Sequence, residues 1–327
     1  MEVTGNWMYR SGTISLFVIL LFGCNPNKNN EVKIEMKPAP TFNADSAYVY
    51  ISDQVNFGPR VPGSESHKNC GDYLVRKLTR SGATVAEQLD SVTSYDGKSL
   101  PLRNIIASYN PENNRRVLLC AHWDTRPFAD RDTSEMKSPI DGANDGASGV
   151  GVLLEIARNF AEQAPSVGVD IILFDVEDQG RPAFETTENP DKHFFCLGSH
   201  YWAKHKNTYT AEYGILLDMV GAKNAVFTME GVSMQYAEHV LRKVWDTGNQ
   251  LGYEDYFRYN RTPALVDDHN YINEIAQIPC IDIIQYDSSN DVGFGSYWHT
   301  HADNMDVIES NTLKAVGQTV LQVVYNE

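Results

Sequence analysis

The sequence predicts an α/β fold, a three-layer α/β/α domain around a central mixed, mostly parallel sheet. Two kinds of segment point to it. Residues 116–121 and 169–174 are short, continuous apolar runs without polar alternation, the pattern of strands buried on both faces. Longer stretches whose apolar residues recur at helical spacing alternate with such runs. At 327 residues and 42% hydrophobic content the chain can cover such a sheet within one large domain, and no internal repeat argues for a solenoid.

Taken in order, the first segment is a targeting signal. Residues 13–24 contain about ten consecutive apolar positions after Arg10, too few to span a bilayer and typical of the apolar region of a signal peptide. Met8 offers a second possible start. The ending Leu21-Phe-Gly-Cys24 resembles a bacterial lipobox, which implies lipidation of Cys24. Residues 1–24 are therefore expected to be a lipoprotein signal peptide. The polar, Pro-containing stretch 25–40 should be a flexible tether, and 41–327 a single catalytic domain. Such a chain would be exported and held in the bacterial cell envelope by its lipid anchor alone.

Within the domain, helices are expected at 45–56 and 65–80, separated by a break at 57–64 that holds two prolines and two glycines. Strands follow at 103–109, 116–121, 169–174, 214–217 and 278–284, with helices at 149–163, 198–206, 233–251, 268–276 and 312–325. The 27 Lys and Arg against 43 Asp and Glu give a formal net charge of −16, which repels phosphate backbones and excludes a nucleic-acid partner. Cys70, Cys120, Cys196 and Cys280 lack the CxxC spacing of zinc knuckles or redox pairs, and no disulfide is predicted.

The chemistry collects where strands end. Sheets of this class bind ligands at the carboxyl edge of their strands. Here the predicted strand ends carry His122, Glu177, Asp178 and Asp218, while a Gly-rich turn before a helix carries Asp145. Asp267-Asp-His269 opens a later helix and Trp298-His-Thr-His301 closes a long loop. Singly, each acid can be a helix cap and each histidine a core residue. Together, one or two imidazoles, several carboxylates and no cysteine suit a zinc site that keeps a coordination position open.

These residues carry a resemblance. The ordered set Phe57-Gly-Pro-Arg-Val-Pro-Gly-Ser64, His122-Trp-Asp124, Asn144-Asp145, Glu177-Asp178, Leu217-Asp218 and Trp298-His299-Thr300 resembles the zinc peptidase clan containing the M28 aminopeptidases. Asp267-Asp268-His269, Trp298-His299-Thr300 and Leu197-Gly-Ser199 make it more similar to the glutaminyl-peptide cyclotransferase branch of that clan. The resemblance implies one Zn²⁺ per chain held by Asp145, Asp178 and His299, with Glu177 as general acid/base. It also implies Asp218 and Asp267 as an acidic pair behind Glu177, Trp298 as a pocket wall, and peptides or proteins with N-terminal glutamine as partners. Asp178 stands where many relatives have glutamate, and the tryptophan expected after the acid pair is missing, which leaves Phe184 as the candidate second wall.

Two other readings stay open. A two-zinc aminopeptidase would add His122 and Asp218 as ligands of a second ion, with Asp145 bridging, and a binding protein could keep the fold without the chemistry. Against the second ion stands Asp267: two close carboxylates tend to share a proton, and a protonated Asp218 is a poor ligand. His301 rivals His299 by position, since either could reach a metal from a loop.

Overall fold

The computed structural model describes residues 1–5, 8, 36–186 and 194–327. The apolar run at 13–24, Cys24 and most of the tether lie outside the described residues. The chain divides into Met1–Lys33 and a unit Ile34–Glu327, and the second of these is described below.

Two helices, α1 (Ala44–Val55) and α2 (Glu65–Arg80), open the unit. Asn43 and Ser64 cap them by accepting from the N–H groups of Ser46 and His67, which satisfies donors that a helix start leaves free. The chain then runs through β1 (Thr84–Thr93), β2 (Ser99–Tyr109), β3 (Arg116–His122), α3 (Ala147–Glu162), β4 (Gly168–Phe174), α4 (Leu197–His205) and β5 (Tyr213–Asp218). It continues through β6 (Phe227–Met229), α5 (Gly231–Gln250), β7 (Phe257–Arg261), α6 (Asp268–Glu274), β8 (Cys280–Ile284) and α7 (Ser310–Asn326). The predicted helices and the predicted strands all form, with ends displaced by a few residues.

Strand order in the main sheet is β1-β2-β4-β3-β5-β8. The run β4-β3-β5-β8 is parallel, while β2 is antiparallel to both β1 and β4. The sheet is thus mixed, and the parallel expectation holds for its β4-to-β8 side. One strand the sequence did not predict is β1, an edge strand exposed on most of its length, including Glu87, Leu89 and Asp90. With polar residues on both faces it offers no period to read, and it is held by its hairpin register with β2. The pair β6 and β7 also went unpredicted because strands of three and five residues are too short to show a pattern.

Alternate residues of the central strands serve two cores. Val117, Leu119, Ala121, Val169, Ile171, Leu173, Ile215 and Leu217 belong to one cluster with side chains of α1, α2, α3, α5 and α7. Leu118, Cys120, Ile172, Phe174 and Leu216 belong to the other, with Trp202 of α4 and Ile272 of α6. This division gives the three layers and explains why the central strands read as uninterrupted apolar runs. All four cysteines of this unit are buried and free. Among the described residues no helix is long and apolar enough to cross a membrane.

The placement of α3 matters most for function. A Cβ on Gly149 would lie 2.2 Å from the carbonyl oxygen of Leu217 and 2.9 Å from Cβ of Ala121. The missing side chain lets the first turn of α3 sit on the ends of β3 and β5, which brings the preceding Asp145 over the carboxyl edge of the sheet. Gly149→Ala is therefore expected to cost roughly 1–3 kcal/mol through overpacking against backbone, read as a lower midpoint in thermal or denaturant unfolding. Unchanged stability would contradict the close approach.

Candidate active site

At the carboxyl edge of the parallel strands lies a pocket of about 180 Å³. Into it converge Asp145 from the turn before α3, Glu177 and Asp178 from the exit of β4, Asp218 from the end of β5 and Asp267 from the cap of α6. The loop after β8 adds Trp298 and His299. Backbone turns aim these groups: Val176, Cys196, Met219 and His299 all adopt left-handed φ of 48–58°. Such angles in non-glycine residues store strain of order 1–3 kcal/mol each and collect at functional sites.

Two triads share Asp145. In the first, His299 Nε2 lies 3.3 Å from Asp178 Oδ1 and 3.7 Å from Asp145 Oδ2. In the second, His122 Nε2 lies 3.1 Å from Asp145 Oδ1 and 3.2 Å from Asp218 Oδ1. All of these side chains are buried. Two donors at zinc distances of 2.0–2.2 Å in a tetrahedron lie about 3.4 Å apart, so the spacing in both triads fits a cation. Asp178 Oδ2 supports the first, because it is buried without a hydrogen-bond partner. His301 lies outside both; its Nδ1 is 2.9 Å from Asp132 Oδ2 on a partly exposed side chain.

Four residues to which the sequence reading assigns no role hold these groups in place. Asp124 accepts from the N–H groups of Glu177 and Asp178 at 3.0 and 3.2 Å and from Gln179 Nε2 at 3.0 Å. Asp303 accepts from the N–H groups of Asn144 and Asp145 at 2.7 and 3.0 Å. Arg126 binds Asp130 through two nitrogens at 2.6 and 2.8 Å and donates to Asp178 Oδ1 at 3.0 Å. Asp130 in turn stands 3.4 Å from His299 Nδ1, the position from which a carboxylate orients a ligating imidazole. Asp124 was visible in the His-Trp-Asp run, but nothing local marks Arg126, Asp130 or Asp303.

The electrostatics follow from crowding. Burial pushes the Glu177 carboxyl well above its usual range, and Asp178, Asp267 and Asp268 add to the rise against the opposing pull of His122. Asp218 is pushed up to about 7, chiefly by burial and then by Asp267, against its hydrogen bond from His122. Asp267 and Asp178 are likewise raised by burial. Asp145 moves the other way: burial is its largest influence and raises it, but His122, His299 and Arg126 together outweigh that and lower it. Several buried acids with two imidazoles amount to a surplus of potential negative charge that a divalent cation would neutralise.

One expectation needs correction. Phe184 does not line the pocket; it packs edge-on against Phe128 with ring centroids 5.7 Å apart. The pocket is lined instead by Phe195, together with Trp298. The reason is packing: Phe195 lies across Gly180, where a Cβ would come within 2.2 Å of its ring, and stands 5.3 Å from the Arg126 guanidinium. Trp298 itself stacks on His299 with centroids 3.7 Å apart and touches Phe294, a further wall that sequence reasoning missed.

The chain is similar to proteins of known structure and activity. The model of peptidase family M28 matches residues 104–324, about two thirds of the chain. A crystal structure of Tannerella forsythia glutaminyl cyclase is 53% identical, with a TM-score of 0.86, covering 88% of this chain and 100% of that one. A Zn-dependent exopeptidase from Parabacteroides distasonis is also 53% identical at TM-score 0.86, covering 89% of this chain and 100% of that one. Bovine glutaminyl-peptide cyclotransferase is 24% identical over 298 residues, 81% of this chain and 77% of its own length.

If the first triad holds the metal, His299→Ala should lose zinc on dialysis while His301→Ala keeps it, as measured by elemental analysis of the purified proteins. Stoichiometric zinc in His299→Ala would move the ligand role elsewhere.

Proposed function

This chain belongs to peptidase family M28, and we propose that within it the protein is a zinc-dependent glutaminyl-peptide cyclotransferase, converting N-terminal glutamine to pyroglutamate with release of ammonia. Asp145, Asp178 and His299 hold one zinc ion per chain, and Glu177 is the general acid/base. The observation that carries this reading is the placement of Asp218, buried in the same pocket as Asp267. Burial and Asp267 push its carboxyl up to about 7, so it holds a proton part of the time at neutral pH, and a protonated carboxyl is a poor ligand for a second ion. The similarity to bacterial and animal glutaminyl cyclases supports the same reading.

The reaction is an intramolecular acyl transfer. The substrate's α-amine attacks its own side-chain amide carbon, a new C–N bond closes the ring, and the bond to the amide nitrogen breaks to release ammonia. Zinc, when bound, supplies Lewis acidity toward the amide carbonyl. Glu177 takes a proton from the amine and returns it to the departing nitrogen, a role for which a raised pKa suits a carboxylate. Trp298 and Phe195 face a pocket of about 180 Å³, room for one small side chain folded back toward its own amine. Holding that folded conformer supplies much of the rate advantage of an intramolecular step. Asp267, with Asp178 and Asp268, helps to raise the Glu177 carboxyl beyond what burial does.

The rival is a two-zinc aminopeptidase, in which His122 and Asp218 bind a second ion bridged by Asp145; the distances around His122 favour it. His122 Nδ1 stands 3.6 Å from Asp124 Oδ1, much as His299 Nδ1 stands 3.4 Å from Asp130 Oδ1, so the carboxylates behind the two imidazoles do not separate the readings. Metal analysis together with parallel assays of ammonia release from glutaminyl dipeptides and of amine release from leucyl substrates separates the two. One zinc, ammonia release and little leucyl cleavage are expected. Glu177→Gln should keep zinc and fold while losing activity by about 10²–10⁴-fold. Two zincs with efficient leucyl cleavage would sink the proposal.

The protein's place in the cell rests on its first residues. The lipobox-like Leu21-Phe-Gly-Cys24 and the polar stretch after it support a lipid-anchored enzyme of the bacterial cell envelope, tethered rather than spanning. Cys24→Ser is expected to shift the protein from the membrane fraction to the soluble one, and an unchanged distribution would remove the anchor.

A further inference from the structure

Cys196 plays no part in the chemistry described above, yet its side chain meets that chemistry directly. Its Sγ donates to Glu177 Oε1 at 3.1 Å, and the residue is wholly buried. The contact is built by the backbone. Cys196 N–H donates to the Glu177 carbonyl at 2.8 Å and Leu197 N–H to the Val176 carbonyl at 3.1 Å, joining the two segments side by side. Both Val176 and Cys196 are in the left-handed region, with φ of 56° and 58°. Cys196 is also the N-cap residue of α4, where a side chain ordinarily satisfies the helix's own first N–H groups. Here it makes no such bond; the thiol turns to Glu177 instead.

We propose that Cys196 is a positioning residue for the reaction, its thiol fixing one oxygen of Glu177 and thereby setting the direction in which the other oxygen meets the substrate amine. The inference rests on reading Glu177 as the group that transfers the proton. A flexible carboxylate on a two-carbon stem rotates about its last bond, and a hydrogen bond to one oxygen removes that freedom. A thiol suits the task because S–H is a weak donor. It orients the carboxylate while withdrawing little of its basicity, whereas a strong or charged donor would hold the ionised form and make it a poorer base.

The test compares donors at position 196 in the zinc-loaded enzyme, following ammonia release from a glutaminyl dipeptide. Cys196→Ala removes the donor and is expected to lower kcat by about tenfold, a modest share of what general acid–base catalysis supplies, with KM and zinc content unchanged. Cys196→Ser restores a donor and should stay within about threefold of the parent. Should the alanine variant fail to fold at this positive φ, Cys196→Gly makes the same comparison, since glycine accepts that backbone conformation freely. Parental kcat in the donor-free variant, a serine variant as impaired as alanine, or loss of zinc in place of kcat would each overturn the proposal. Glu177→Gln separates the levels: if it stays active the cyclase mechanism fails, and if it is dead while Cys196→Ala is unimpaired only the role of Cys196 fails.

Discussion

Everything at the carboxyl edge of this sheet answers to one constraint, the burial of many carboxylates around a single small pocket. Asp145, Glu177, Asp178, Asp218 and Asp267 all face it, and all are buried. An uncompensated buried charge is far too costly to keep, so each such group must be protonated, paired or bound to a cation. The site divides these solutions among its members. His122, His299 and Arg126 keep Asp145 ionised, while burial raises Glu177, Asp218 and Asp178, in Asp178 against the opposing pull of His299 and Arg126.

Holding this arrangement is a task for backbone amides more than for side chains. Asp124 grips the N–H groups of Glu177 and Asp178, and Asp303 grips those of Asn144 and Asp145. Each acid therefore fixes one reactive loop from behind and cannot be spared for the pocket. The same logic extends to Cys196, whose backbone joins the exit of β4 and whose thiol meets Glu177. The left-handed turns at Val176 and Cys196 are tolerated because these bonds over-determine them.

The fold was legible wherever periodicity was strong. Apolar runs ending in His122, Phe174 and Asp218 became central strands because both of their faces are covered, and α2 could be bounded from its apolar stripe and the glycine beyond it. The edge strand β1 was invisible because solvent, not a core, meets much of its surface. Of the site, the pocket carboxylates and His299 could be picked out from strand ends and ordered motifs. Arg126, Asp130 and Asp303 could not, since their partners are distant in the chain and surface-type residues carry no local sign of burial.

Chemical inventory and strand order of exposure are properties of the chain read along its length, so composition, periodicity and motif were enough for the fold class, the cluster of acids and the pair of candidate histidines. Choosing between equals needed three dimensions. His299 rather than His301 enters the acid cluster because the loop's left-handed turn at His299 directs it inward, while His301 pairs with Asp132 nearer the surface. Phe195 rather than Phe184 lines the pocket, lying across Gly180 while Phe184 packs on Phe128, contacts made by packing and not by sequence distance. Long-range proximity sets which of several chemically equivalent side chains meets the pocket, and no local pattern encodes it.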